Sequence, residues 1–226
     1  MTPAVSILLL WVLFIGTHLG LASVRVEPGL RKRLGERGFL GFYSLLALGA
    51  FVPLCWVYFG NRHAGEWLWH VPVGPVLRAI LYAGMFVALL LIVAGVVRPS
   101  PASMTAGAAP KEPTEVRGAF RITRSPLVMG SALLMALHLV PNASTADVAF
   151  FGGFVVFAVA GAWHQDARKR AYETPGFEAF HRATGFWPFA HGGFAGLREV
   201  GVSVWLVTAL AFLAIRWVHP LPLWPH

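Results

Sequence analysis

Long apolar runs alternate with short basic or proline-rich stretches along the whole 226-residue chain. Six of these runs approach the roughly 20 residues that an α-helix needs to cross the hydrocarbon core of a bilayer. The pattern predicts an all-α polytopic membrane protein with six transmembrane helices in one bundle. We place the helices near residues 4–24, 39–59, 76–97, 124–140, 147–164 and 200–218.

The composition supports a membrane location. The chain is 57% hydrophobic and 12% charged, whereas a soluble domain carries about 25% charged residues. Its single cysteine, Cys55, excludes an intramolecular disulfide. We therefore expect one integral-membrane domain over residues 1–226. Its environment is the lipid bilayer, and the net charge of +8 is interpreted as a topology signal, with no nucleic-acid partner.

The distribution of basic residues predicts the orientation. Lys and Arg concentrate in three loops, at residues 25–38, 98–124 and 165–199. The alternate loops and the C-terminal end hold only Arg62, Arg78 and Arg216. Because basic loops stay on the cytoplasmic side of a membrane, both termini should lie outside. We expect a multi-pass protein of the bacterial inner (cytoplasmic) membrane.

Local composition predicts how individual segments behave. Residues 99–115, rich in Pro, Ala and Ser, predict a flexible linker. Residues 165–199 mix basic and aromatic side chains and predict a cytoplasmic amphipathic loop on anionic lipid. Ser144 and Asp147 form a capping box that opens the fifth helix. The run Arg124-Ser125-Pro126 is typical of a helix start.

Two histidines stand out because apolar residues surround them in the sequence. His18 lies in the first predicted helix and His138 in the fourth. An ionisable side chain inside a membrane helix indicates a functional site, since hydrocarbon offers it no water. Three interpretations stay open: two imidazoles that ligate one haem, two separate polar contacts, or another metal. Gly16 and Gly20 form a GxxxG pair that either packs helices closely or leaves room for a flat cofactor.

Three further residues are candidates for cofactor binding: Arg25, Asn142 and Arg124. Arg25 follows His18 by roughly 10 Å along a helix, nearly two full turns, and would reach a haem propionate. Asn142, in the next helical turn after His138, is a candidate for orienting that imidazole. Arg124 lies roughly 21 Å before His138 along a helix and marks the inner interface.

Several segments resemble the NnrU family, whose members are membrane proteins named from bacterial denitrification and the nitric-oxide response. They are GTHLGLASVR, GERGFLGFYSLLALGAF and ITRSPLVMG followed by ALHLVPN, within a resemblance that covers residues 5–190. The same superfamily includes the haem-dependent 15-cis-zeta-carotene isomerase. The resemblance implies a haem b with His18 and His138 as axial metal ligands. It also implies a redox or gas-sensing role, with a small gas, a lipidic molecule or another membrane protein as partner.

Alternatives to that role stay open, and so does the question of whether the protein is an enzyme. One is a non-catalytic membrane assembly or regulatory factor without a cofactor. Another is a haem-dependent isomerase of a lipidic polyene. The last is a methyltransferase that uses S-adenosylmethionine, because Arg124-Ser125-Pro126 with Gly130 is similar to isoprenylcysteine-type membrane methyltransferases. The chain departs from that family, since Ser125 replaces a histidine and residues 166–173 lack paired glutamates.

Overall fold

The computed structural model describes residues 1–103, 115–190 and 193–219. Within these ranges the chain is helical, and its strand-like pairing is limited to one isolated bridge between Trp67 and Ser144. The helices are α1 (Pro3–Leu21), α2 (Glu27–Gly60), α3 (Pro75–Val97), α4 (Ala119–Ile122), α5 (Pro126–Leu139), α6 (Thr145–Ala171), α7 (Phe177–Ala183), α8 (Phe194–Glu199) and α9 (Val202–Val218).

Each of the six predicted apolar segments forms a helix, and the all-α membrane fold is confirmed. Among the described residues, α1, α2, α3 and α6 are long and apolar enough to cross a membrane. Helix α5 has 14 residues and α9 has 17. At 1.5 Å per residue they are about 21 and 26 Å long, shorter than a hydrocarbon core of about 30 Å. Proline at position 126 begins α5, and Pro141 follows its end.

Helix α2 begins well before its predicted start. The expected basic loop at 25–38 is largely helical, because Glu27 and Pro28 provide a helix start and Glu27 Oε1 pairs with Arg31 Nε at 2.8 Å one turn later. Gly35 interrupts the helix with φ of 71°, in the left-handed region that favours glycine. The basic segment therefore joins the apolar part of α2 through a kink.

The predicted loop at 165–199 also needs correction. Residues 165–171 continue α6 to Ala171, and α7 and α8 occupy much of the remainder. Apolar periodicity ends near residue 164, but the helix continues because DARKRA contains no breaker. Most of the predicted linker, residues 104–114, lies outside the described residues. In its first part, the hydroxyl of Ser100 donates a hydrogen bond to the carbonyl oxygen of Arg124.

The chain divides into two compact units, and the single domain expected from the sequence stays a prediction. The first unit is Met1–Val71 with His138–Phe157, and the second is Pro72–Leu137 with Ala158–His226. Aromatic rings of α1 and α6 hold the first unit together, with Trp11 edge-on to Phe154 at 4.8 Å. In the second unit, α3 packs against α9 over a core formed by Leu90, Leu91, Ala94, Ala119, Ile122, Val200 and Val204.

Candidate functional site

His18 lies in the last turn of α1, and its half-buried ring is set among aromatic rings from three helices. The ring centroid lies 5.2 Å from Phe14, 4.8 Å from Tyr43 of α2 and 5.2 Å from Phe157 of α6. The hydroxyl of Tyr43 donates a hydrogen bond of 3.3 Å to the carbonyl oxygen of His18. These contacts fix the end of α1 against α2 and exclude water from the sides of the imidazole that the rings cover.

His138 lies in the last turn of α5. Its ring stacks on Phe151 of α6 with the centroids 5.2 Å apart and the planes at 27°. The side-chain amide of Asn142 donates a hydrogen bond of 2.7 Å to the carbonyl oxygen of His138. Asn142 thus closes the end of α5 through the backbone, and its expected role in orienting the imidazole stays a prediction.

The two histidines belong to the same unit and contact the same helix. Their partners Phe151 and Phe157 are separated by about 9 Å along α6. Two imidazole nitrogens on one metal ion lie about 4 Å apart, twice a metal–imidazole bond of about 2 Å. His18 and His138 therefore reach α6 at different levels, and ligation of one iron by the pair stays a prediction.

Arg25 does not continue the helical face that carries His18. Helix α1 ends at Leu21, where the amide of Ser23 bonds to the carbonyl oxygen of Gly20, and Arg25 is exposed in the following turn. The helical spacing expected between His18 and Arg25 was therefore wrong. A pairing of Arg25 with a haem propionate stays a prediction without that geometric support.

The Gly16 and Gly20 pair leaves open space beside α1. Apart from the neighbouring backbone of α1, no described atom lies within 4 Å of the position that a Cβ would occupy at either glycine. The pair therefore makes no close helix contact in the described part of the chain. Of the two roles that the sequence left open, the geometry fits the one that provides room for a bound group.

An apolar groove of about 750 Å³ runs between α1 and the part of α6 that belongs to the first unit. Its walls include Gly16 and Gly152, whose missing side chains widen it. Ile15, on the groove wall, precedes His18 by one turn of α1, and Val156 is the residue before Phe157, which contacts the ring of His18. The remaining lining residues are Ala4, Leu8, Trp11, Val12, Leu68, Thr145, Val148, Ala149 and Gly153.

A buried carboxylate fixes the start of α6. The amide of Asp147 donates to Ser144 Oγ at 3.1 Å, which confirms the predicted cap. Asp147 Oδ2 accepts from the hydroxyl of Ser144 at 2.7 Å and lies 2.9 Å from His63 Nδ1, while Oδ1 accepts from Tyr58. Local spacing in the sequence does not predict this network, because 84 residues separate His63 from Asp147.

Arg124 is held inside the second unit by groups far away in sequence. Its Nε lies 3.4 Å from Asp166 Oδ2, and its Nη1 donates to the carbonyl oxygen of His181 at 3.2 Å. The guanidinium also lies over the ring of Phe186, 5.6 Å from the centroid. Burial lowers the pKa of Arg124, whereas the carboxylate of Asp166 acts in the opposite direction. A role for Arg124 in cofactor binding stays a prediction.

His181, in the last turn of α7, completes this cluster. Arg170 Nη2 lies 2.9 Å from His181 Nδ1. Because a guanidinium only donates hydrogen bonds, Nδ1 must accept, and the imidazole proton lies on Nε2. Burial, followed by the positive charges of Arg124 and Arg170, lowers the pKa of His181. The imidazole is therefore neutral near pH 7.

The long apolar helices are those of an α-helical integral-membrane protein. The sequence profile of the NnrU protein family matches residues 6–223, so the chain belongs to the NnrU family. No solved structure matches the chain.

Two plant proteins are also similar to it. The chain is 27% identical over 192 residues to chloroplastic 15-cis-zeta-carotene isomerase from Arabidopsis thaliana. The aligned residues make up 84% of this chain and 50% of the relative. The enzyme of the same name from Zea mays is 28% identical over 189 residues, with 82% and 50% covered. The chain thus spans about half the length of the curated relatives it matches.

Proposed function

We propose that this protein is a haem-dependent membrane enzyme that isomerises a lipidic polyene. One observation carries the proposal: Ile15, which lines an apolar groove of about 750 Å³, lies one turn of α1 before His18, whose ring is set among aromatic rings. The names of the two plant relatives supply the reaction class, cis–trans isomerisation of a carotene. The redox or gas-sensing role linked to nitric oxide stays a prediction from the family resemblance.

The residues of the first unit fit a haem in three respects. Imidazole is a common axial ligand of haem iron, and His18 offers one that aromatic rings shield from water. The open space beside Gly20, which does not line the groove, leaves room for a flat group. His138, in the last turn of α5 and packed on Phe151 of α6, is the candidate second ligand. When bound, a haem would supply an iron that changes oxidation state and that would accept a further ligand where one of the two histidines is released.

The groove favours a rigid, flat and apolar substrate. Lipid tails are as apolar as the groove walls, so selection among apolar molecules depends on shape and close packing. Gly16 and Gly152 keep part of the groove free of side chains, where a flat conjugated chain fits better than a flexible acyl chain. Residues Ile15 and Val156 would hold one end of such a chain close to His18.

Conversion of a defined polyene tests this function. The purified full chain in lipid nanodiscs, from cells supplied with haem precursor, is incubated with 15-cis-zeta-carotene under oxidising and reducing conditions. Chromatography should show conversion at the central double bond, at least tenfold slower with His18→Ala. His70→Ala, which changes an exposed histidine, serves as the control and should keep the wild-type rate. No conversion by the folded wild-type protein in either redox state would contradict the proposal.

A further inference from the structure

The second unit contains a cavity of about 490 Å³ at the basic end of α6. It has no part in the function proposed for the first unit. Polar groups form one side, with Asp166, Arg170 and His181 facing the space. The other lining residues are Arg124, Val159, Trp163, Ala167, Phe186 and Trp187. The cavity thus combines a charged end with an apolar and aromatic wall.

The apolar wall continues along α6 toward the apolar part of that helix. Trp163 and Val159 precede Asp166 by one and by two helical turns, so the three side chains share one face. Trp163 is 72% exposed and Trp187 is 56% exposed. Exposed tryptophans are typical of the membrane–water interface. The cavity is therefore shaped for an amphiphile, with its head among the charged groups and its chains along α6.

The charges at the polar end are separated and nearly balanced. Arg170 pairs with Glu178 at 3.3 Å and contacts His181, but half of its side chain is exposed at the cavity. Arg124 forms an ion pair with Asp166 and a hydrogen bond with the carbonyl oxygen of His181. The half-exposed guanidinium of Arg170 and the buried carboxylate of Asp166 thus face the same cavity. This arrangement complements a zwitterion better than a simple anion.

Asp166 offers an acceptor for a hydrogen-bond donor. Its side chain is 6% exposed, and Oδ2 faces Arg124 Nε at 3.4 Å and His181 Nε2 at 3.6 Å. The other oxygen, Oδ1, is buried and accepts no hydrogen bond from any group in the described part of the chain. A buried acceptor without a donor is costly, by about 1–3 kcal/mol. A bound donor at this position would remove that penalty.

We infer that this cavity binds a phospholipid whose headgroup carries a phosphate and a primary ammonium, as in phosphatidylethanolamine. The guanidinium of Arg170 binds the phosphate, and the ammonium donates a hydrogen bond to Asp166 Oδ1. Trp163 and Val159 contact the acyl chains. A quaternary ammonium has no N–H to donate, and a glycerol headgroup lacks the positive charge, so both should bind more weakly.

A methylation series of one lipid tests the role of the donor. Native mass spectrometry of the full chain in non-ionic detergent measures the apparent Kd for phosphatidylethanolamine, its monomethyl and dimethyl derivatives, and phosphatidylcholine with the same acyl chains. Phosphatidylglycerol is the anionic comparison. We expect binding to persist while one N–H remains and to weaken at least tenfold at phosphatidylcholine. Equal affinities across the series, or tighter binding of phosphatidylglycerol, would overturn the inference.

Two variants separate the headgroup contacts. Asp166→Asn should reduce the preference for phosphatidylethanolamine over phosphatidylcholine to less than threefold. Because this change also breaks the pair with Arg124, Arg170→Gln at the exposed edge provides a second variant. Arg170→Gln should raise the apparent Kd for every phospholipid of the series by about tenfold. Arg182→Gln, which changes an exposed arginine outside the cavity lining, is the matched control. A loss with Arg182→Gln equal to that with Arg170→Gln would contradict the assigned site.

Discussion

The hydroxyl of Tyr58 donates a hydrogen bond of 3.0 Å to Oδ1 of Asp147, which joins the end of α2 to the first turn of α6. Asp147 is fully buried, and its second oxygen is bound by Ser144 and faces His63. The ring of Tyr58 also stacks on Phe150 with centroids 3.7 Å apart. One carboxylate thereby fixes the helix start, the loop after α2 and the packing of the first unit.

Removing the hydroxyl of Tyr58 should destabilise the protein. Tyr58→Phe keeps the stacked ring but deprives a buried carboxylate of one donor, which costs about 1–3 kcal/mol. Unfolding in detergent by a denaturant, followed by circular dichroism, measures the change in the free energy of unfolding. Tyr172→Phe, at an exposed position, is the control. Equal stabilities of the two variants would show that the bond to Asp147 contributes little.

Adjacent glycines of α6 should respond differently to the same substitution. A Cβ at Gly153 would clash with Nε1 of Trp11, whose ring is 2% exposed and has little space to move, whereas a Cβ at Gly152 would contact no described atom outside its own helical turn. Gly153→Ala should therefore lower the free energy of unfolding by about 1–3 kcal/mol. Gly152→Ala should leave it unchanged or raise it slightly. Equal or reversed effects would contradict the α1–α6 contact.

Filling the groove should block polyene binding while His18, the proposed iron ligand, stays in place. Gly16→Leu and Gly152→Leu place side chains into open space in the groove, so the fold should tolerate them. We expect the apparent Kd for 15-cis-zeta-carotene, measured by tryptophan quenching in nanodiscs, to rise at least tenfold. Gly41→Leu adds the same bulk at an open position outside the groove and is the matched control. Wild-type affinity in both groove variants would place the polyene elsewhere.

Stability should fall when the medium becomes acidic, partly through His181. Its pKa is lowered in the folded protein below the ordinary value of 6.5. The unfolded chain therefore binds more protons as the pH falls below about 6.5, and folding stability is lost through that range. The free energy of unfolding at pH 7.5 and pH 5 should differ less in His181→Gln than in the wild type. His70→Gln should retain the wild-type difference, and identical pH dependence of His181→Gln and wild type would refute the assignment.

Local signals in the sequence predicted much of the fold. The apolar segments located the six main helices, Ser144 with Asp147 gave the start of α6, and Pro126 gave the start of α5. Each depends on residues within one or two helical turns. The prediction that the first helix continues to residue 24 failed. A turn at Ser23 ends α1 at Leu21, before Arg25.

The polar clusters could not be predicted from spacing. Arg124 meets Asp166 and His181, and Asp147 meets Tyr58 and His63, only because distant segments fold together. One usable signal was present, since a carboxylate next to a long apolar run requires a partner. Such a signal identifies a residue that needs a partner, but it does not identify the partner.

The absorbance spectrum of the purified protein shows whether it binds haem through His18 and His138. Protein from cells supplied with haem precursor is measured oxidised and dithionite-reduced, beside His18→Ala, His138→Ala and the control His70→Ala. We expect a Soret band and sharp reduced bands in the wild type and in the control. His18→Ala should lose the Soret band and the sharp bands, and His138→Ala should lose the sharp bands. A folded, monodisperse wild-type protein without a Soret band, or an unchanged spectrum in His18→Ala, would refute haem ligation by His18.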